Sequence, residues 1–174
     1  EIDRALCHYA CGFPINKKPR QVNDGDIIYM ARMTENPNDY AIFGKAIALK
    51  FKEGRDIASD IEKQEREWKK KWPAYLRVEQ PTFLNGNMGD GVLLSDLMDK
   101  FEYDSFPSTR IRYNNGERDI VAKKSLMRKA YVRITNNAAK WLDQQFDDAL
   151  QISGKVSDSF LSNLPQTTTD LDDW

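Results

Sequence analysis

Apolar and polar positions change their period several times along this chain, and each change marks an element. Asn23-Asp24-Gly25-Asp26 carries turn residues, and the apolar run Ile27-Ile28-Tyr29-Met30-Ala31 behind it predicts a strand. A second turn signal, Glu35-Asn36-Pro37-Asn38-Asp39, precedes Tyr40 to Phe51, a β-rich run in which Gly44 suits a bulge or a close backbone approach. Two such runs joined by a short polar loop predict an antiparallel hairpin. After Gly54 the pattern becomes heavily charged over residues 56–71. Ile57, Ile61 and Trp68 fall near helical spacing, and Glu65 with Lys69 and Glu67 with Lys71 are i,i+4 pairs in the favourable order. This predicts a solvated helical insert beside the sheet, ended by Trp72-Pro73.

From Ala74 to Leu84 apolar and polar residues alternate as in a half-buried strand, with Pro81 placing its end at an edge or bend. Residues 85–91 form a glycine-dense loop. Its glycine spacing lacks the Gly-Lys-Ser/Thr ending and the strand-to-helix setting of a phosphate loop. Ser95 is placed to cap a short helix over Asp96 to Phe101, and a loop is expected over Asp104 to Thr109. Tyr131 to Ile134 predicts a strand. Thr135 and Asn136 cap a helix over Asn137 to Leu150, where Ala139, Leu142, Phe146, Ala149 and Leu150 share a face. A last turn is expected over Ser157 to Leu164, followed by a polar, acidic tail from Pro165 to Trp174. Short strands interrupted by helices, without strict alternation, predict an α+β fold and argue against a doubly wound parallel sheet. Edge protection calls for a small twisted mixed sheet that closes on itself, with Tyr29, Phe43, Tyr75 and Val78 on adjacent strands and helices at the periphery. The expected organisation is one domain over residues 1–152 and a C-terminal appendage over 153–174.

Composition narrows the function classes. Apolar residues are 40% and charged residues 30% of the 174, an ordinary globular balance. No apolar run approaches the roughly 20 residues that cross a bilayer. The sequence opens at Glu1 without a basic and apolar leader, so no export signal and a cytoplasmic setting are expected. Cys7, His8 and Cys11 cluster, but His8 is the one histidine and these are the two cysteines. A zinc site needs three or four ligands, so the expectation is two reduced thiols and no metal or other cofactor. The offsets of His8 from its two neighbouring cysteines do not make a nucleophile–base triad, and Glu62-Lys63 and Glu79-Gln80-Pro81 do not supply the nuclease pattern of an acid ending one strand followed by Glu-x-Lys on the next, so no enzymatic activity is expected.

Net charge is −1, with 26 basic and 27 acidic residues, yet the distribution is uneven. Eight basic residues lie between Arg110 and Arg133 (Arg110, Arg112, Arg118, Lys123, Lys124, Arg128, Lys129, Arg133) against Glu117 and Asp119. A near-neutral domain can therefore present a basic face. Tyr29, Arg32, Trp68, Trp72, Tyr75 and Arg77 interleave rings and cations on or beside the predicted sheet, the combination that stacking on a base next to its phosphates requires. Ser105 to Asn115, polar and longer than its connection needs, is expected to form a functional loop at the barrel mouth.

Four motifs in order carry a family resemblance: Asp24-Gly25-Asp26-Ile27-Ile28-Tyr29, Ile42-Phe43-Gly44-Lys45-Ala46, Trp72-Pro73-Ala74-Tyr75-Leu76-Arg77-Val78, and Gly91-Val92-Leu93-Leu94-Ser95-Asp96-Leu97. Their succession over Asn23 to Phe101 resembles the EVE domain and the wider PUA-like superfamily. The charged insert and the basic segment depart from that pattern, as does the lack of the N-terminal tryptophan-bearing strand. The resemblance implies a pseudobarrel that binds DNA or RNA, takes a modified or flipped base in an aromatic pocket, and serves in a restriction or defence system. On this sequence the implied base pocket is Tyr29, Arg32, Lys45, Trp72, Arg77, Ser108 and Thr109. The expected phosphate contacts are Arg110, Arg112, Lys123, Lys124 and Arg128. The alternatives are a protein–protein module using Trp68, Trp72 and the acidic tail, and a metal-dependent nuclease.

Overall fold

In the computed structural model, which describes residues 2–8, 12–36, 39–85, 91–126 and 131–154, β1 (Ala5–His8) runs parallel to β2 (Ile27–Met33), and β2 pairs antiparallel with β3 (Tyr40–Ala48). β4 (Val78–Phe83) and β5 (Val92–Leu93) lie one after the other along the far edge of β3. β6 (Tyr131–Ile134) returns antiparallel to β1. The result is a six-stranded mixed sheet of order β4-β3-β2-β1-β6, with β5 also on β3. Among the described residues β4 and β6 stand at its two ends without pairing to each other. The α+β class is as the pattern predicts.

The hairpin forms where the turn signals place it, and Gly44 stands at its irregularity. Met30 pairs with Gly44 and Ala31 with Ile42, so Phe43 is the extra residue of a bulge. A Cβ on Gly44 would lie 2.8 Å from the Phe83 ring and 2.9 Å from the Met30 methyl. That close approach is why the position carries no side chain.

Two apolar layers cover the sheet. On one face Tyr29, Ala31, Ile42, Val132 and Ile134 meet Leu94, Leu97, Phe106, Leu142 and Phe146. The helices that supply these are α3 (Leu94–Phe101), which leads through a 3-10 turn (Glu102–Ser105), and α6 (Asn136–Ser153). As expected, the Thr135 hydroxyl caps α6 by accepting the Ala138 N–H at 3.2 Å. On the other face Leu6, Ile28 and Ala48 pack with Val22, and beside them Phe13, Phe51 and Ala74 form a second cluster. These are covered by the irregular segments before β2 and after β3.

Several elements differ from the pattern's expectation. The charged insert is two short helices, α1 (Asp60–Glu65) and α2 (Trp68–Lys71). A capping box of Ser59 and Glu62 starts the first, and buried Lys69 reaches back to Glu62 at 3.4 Å. The strand expected from Ala74 begins at Val78. Ala74 instead makes isolated bridges to Phe13 and Ile57, and Tyr75 precedes the strand. Ser95 does not cap α3, which starts one residue earlier. The carboxylate of Asp39 takes the Ser95 N–H at 3.2 Å and its hydroxyl at 2.6 Å. The functional loop expected over Ser105 to Asn115 is largely helix, α4 (Pro107–Asn114), with Pro107 at its first position. A short α5 (Lys123–Leu126) follows. The glycine-dense loop at 86–90, Cys11, Arg128, Lys129, the last turn and the acidic tail lie outside the described residues.

Candidate nucleic-acid interface

Strand alternation sends neighbouring residues of β2 to opposite layers, and this separates the ring and cation positions singled out in the sequence. Tyr29 points to the helical layer and is fully buried. Its phenol donates to the Asp143 carboxylate on α6, and Lys45, its cross-strand partner, reaches the same oxygen at 2.6 Å. Burial first, then the bond to Asp143 and that group's charge, push the phenol far above its ordinary range. No ring face of Tyr29 is open to a ligand. Beside Lys45, a shallow groove of about 480 Å³ runs between β3, β4 and α6, lined among others by Ile47, Gln80, Thr82, Phe146 and Asp147.

Arg32 belongs to the opposite layer. One ladder row crosses five strands there as Tyr131, His8, Met30, Gly44 and Phe83. Gly44 has no side chain, and the Phe83 ring and the Met30 methyl close over it, so the row has no gap there. Beyond that row the Arg32 guanidinium sits 4.3 Å over the Phe43 ring, which stacks on Phe83 with 6.0 Å between centroids and 12° between planes. All three side chains are half-buried, so the patch has both a wet edge and a packed one. Phe43 and Phe83 were missed as site residues in the sequence. The bulge at Gly44 was the signal available, since a bulge re-aims the side chain next to it.

Trp72 is half-buried at the end of α2, with the Lys71 ammonium 4.8 Å over its ring. Gly12 packs against its stem: a Cβ there would stand 2.7 Å from Trp72 Cβ. Arg77 is held by the buried carboxylate of Asp56, its Nε 3.1 Å from Oδ1. That same carboxylate takes Arg55 Nε at 2.8 Å and Nη2 at 2.9 Å, and the Lys52 N–H at 2.9 Å.

The remaining candidates sit on α4 and α5. Ser108 is exposed, whereas Thr109 is fully buried and its hydroxyl donates to the carbonyls of Tyr103 at 2.6 Å and Phe106 at 2.9 Å. Arg110 pairs with Asp3 at 2.7 Å and Arg112 forks onto Glu117. Lys123 and Lys124 are exposed. α4 packs on the 3-10 turn that itself rests on α3 and α6, so the implied base-pocket residues do not converge. Tyr29 and Lys45 face α6, Ser108 and Thr109 belong to α4, and Arg32 lies on the opposite face of the sheet. Trp72 and Arg77 belong to the segments between β3 and β4.

Among the described residues no three His, Cys, Asp or Glu side chains gather as a metal site, and no helix is long and apolar enough to cross a membrane. The chain matches no family model, no curated protein and no solved structure.

Proposed function

We propose that this chain is a nucleic-acid-binding module of the EVE and PUA-like kind, working in the cytoplasm as the reader of a modified or flipped base within a restriction or defence system. In this reading the mixed sheet is the wall of a pseudobarrel, and the order of the four motifs supports the family. The observation that carries the function is the Arg32, Phe43 and Phe83 patch. A guanidinium lying on one ring and a second ring parallel to the first bring a cation and planar side chains together, half-buried, beside the β4 edge of the sheet. Extruding a base costs a few kcal/mol, and stacking at roughly 1–3 kcal/mol per base offsets it.

The test is a titration of labelled single- and double-stranded oligonucleotides, with and without base modifications, at several salt concentrations. Parent, Arg32→Ala and Phe43→Ala are compared. Removing the Phe43 ring should weaken binding about tenfold or more and flatten preference between bases, while the salt slope stays near that of the parent. A folded parent that binds no oligonucleotide at low salt would sink the reading.

A further inference from the structure

The basic stretch beyond Pro107 divides by what each cation touches. Arg110 meets Asp3 at 2.7 Å, and the other oxygen of Asp3 takes the Asn136 N–H at 2.9 Å, so this guanidinium ties α4 to the start of α6. Arg133 lies 2.9 Å from the buried Asp26 and donates to the carbonyls of Gln21 at 2.8 Å and Asp3 at 3.2 Å. Arg112 is neutralised by Glu117. Arg110 and Arg133 thus tie distant segments together, while Arg112 is paired locally on the surface.

Arg118, Lys123 and Lys124 are different. All three are exposed, and none has a carboxylate partner among the described residues. Over residues 118–124 these three cations face one acid, Asp119, a net charge of +2. Arg118 is also held in place. Its Cζ lies 4.2 Å over the Tyr113 ring, and Tyr113 stacks on Tyr103 with centroids 3.6 Å apart and 6° between planes. Arg118 Nη1 donates to the Tyr113 carbonyl at 2.7 Å and towards that of Glu117 at 3.4 Å. With one nitrogen anchored and one face on a ring, the guanidinium plane is fixed before any ligand arrives. Its Nε and Nη2 edge is left for a bidentate acceptor.

We infer that Arg118, with Lys123 and Lys124, forms the anion-binding edge of the module and that its ligand is the phosphodiester backbone. Arg110, held by Asp3, and Arg112, paired with Glu117, do not belong to that contact. The inference rests on the nucleic-acid reading above and replaces part of its phosphate set. A preorganised fork suits phosphate because two parallel N–H bonds match two of its oxygens, and two lysines five and six residues on add charge without geometry.

The experiment compares the salt dependence of oligonucleotide affinity in the parent, Arg118→Gln, Arg118→Lys, Lys123→Gln with Lys124→Gln, and Arg110→Gln, with melting temperatures measured alongside. Arg118→Gln should flatten the slope by about one unit and the double variant by about two, with melting unchanged. Arg118→Lys should keep the slope and lose several-fold in affinity, since the charge stays and the fork goes. Arg110→Gln should lower the melting temperature and leave the slope alone. If the parent binds and neither Arg118→Gln nor the lysine double moves the slope, the edge is elsewhere and this inference fails while the reading stands. If the parent binds no oligonucleotide, the reading itself fails. Salt-sensitive capture of polyglutamate through the same three residues would then assign the edge to an acidic protein and overturn the phosphodiester ligand.

Discussion

Replacing Asp56 by asparagine tests whether one buried carboxylate organises the connection between β3 and β4. The side chain is fully buried, and it accepts from the Lys52 N–H, from two nitrogens of Arg55 and from Arg77. The surroundings are locked to the same point: Asp56 O takes the Tyr75 N–H at 3.0 Å, and the Tyr75 hydroxyl donates to Arg55 O at 2.8 Å. Removing one partner of a buried ion pair costs about 3–5 kcal/mol. Here the arginines are 31% and 47% exposed, so both can turn to water, and the expected loss falls to about 2–3 kcal/mol. In a domain of this size each kcal/mol moves the melting temperature by about 2–4 °C, so the drop should be roughly 4–12 °C by circular dichroism at neutral pH. Burial raises this carboxyl, but the Arg55 and Lys52 hydrogen bonds and the charges of Arg55 and Arg77 outweigh it and hold it below the usual range. A depressed folded value means that the stabilisation is complete above the unfolded pKa, near ~3.9, and fades as pH falls through the folded one. The gap between parent and variant should therefore close in acid. A variant that melts within about 1 °C of the parent at pH 7 would refute the argument, because removing the one carboxylate leaves the cations around it uncompensated.

Three further outcomes follow from the packing. Gly91→Ala should destabilise by about 2 kcal/mol or more, since its Cβ would collide with the Ile42 carbonyl across the β3–β5 pairing, whereas Gly54→Ala, with open space around it, should be nearly silent; equal melting temperatures for the two would contradict the packing. Tyr29→Phe should cost about 1 kcal/mol for the lost bond to Asp143 and leave oligonucleotide affinity untouched; an affinity loss at intact stability would put the ring at the interface. Burial pushes the Cys7 thiol up to about 12, so in a Cys11→Ser background it should resist alkylation at pH 8 until denaturant is added; prompt labelling of folded protein would show the β1 position to be open.

The elements legible in the sequence were those whose partners lie close along the chain. The β2–β3 hairpin has its turn signal between its strands, and α6 carries its own cap in Thr135. β1 escaped because Ala5, Leu6 and Cys7 are all buried, which leaves no alternation, and because its parallel partner begins at Ile27. The start of α3 was misplaced because its stabilising carboxylate, Asp39, arrives from 56 residues away. α4 looked like a loop since its hydroxyls suggested turns, yet the Thr109 hydroxyl folds back onto carbonyls of its own approach. Tyr29 and Arg32 both read as ring and cation on one strand; parity separates them, but only the tertiary fold says which parity faces α6. The same limit governs charge. Arg110 and Arg133 each find an acid 107 residues upstream, so a window around them counts cations that the fold has already neutralised. A basic window indicates a phosphate-facing surface only after distant acids are subtracted. Among the described residues, distant acids remove Arg110 and Arg133, the nearby Glu117 takes Arg112, and Arg118, Lys123 and Lys124 are left, which is why the electrostatic test belongs on those three residues.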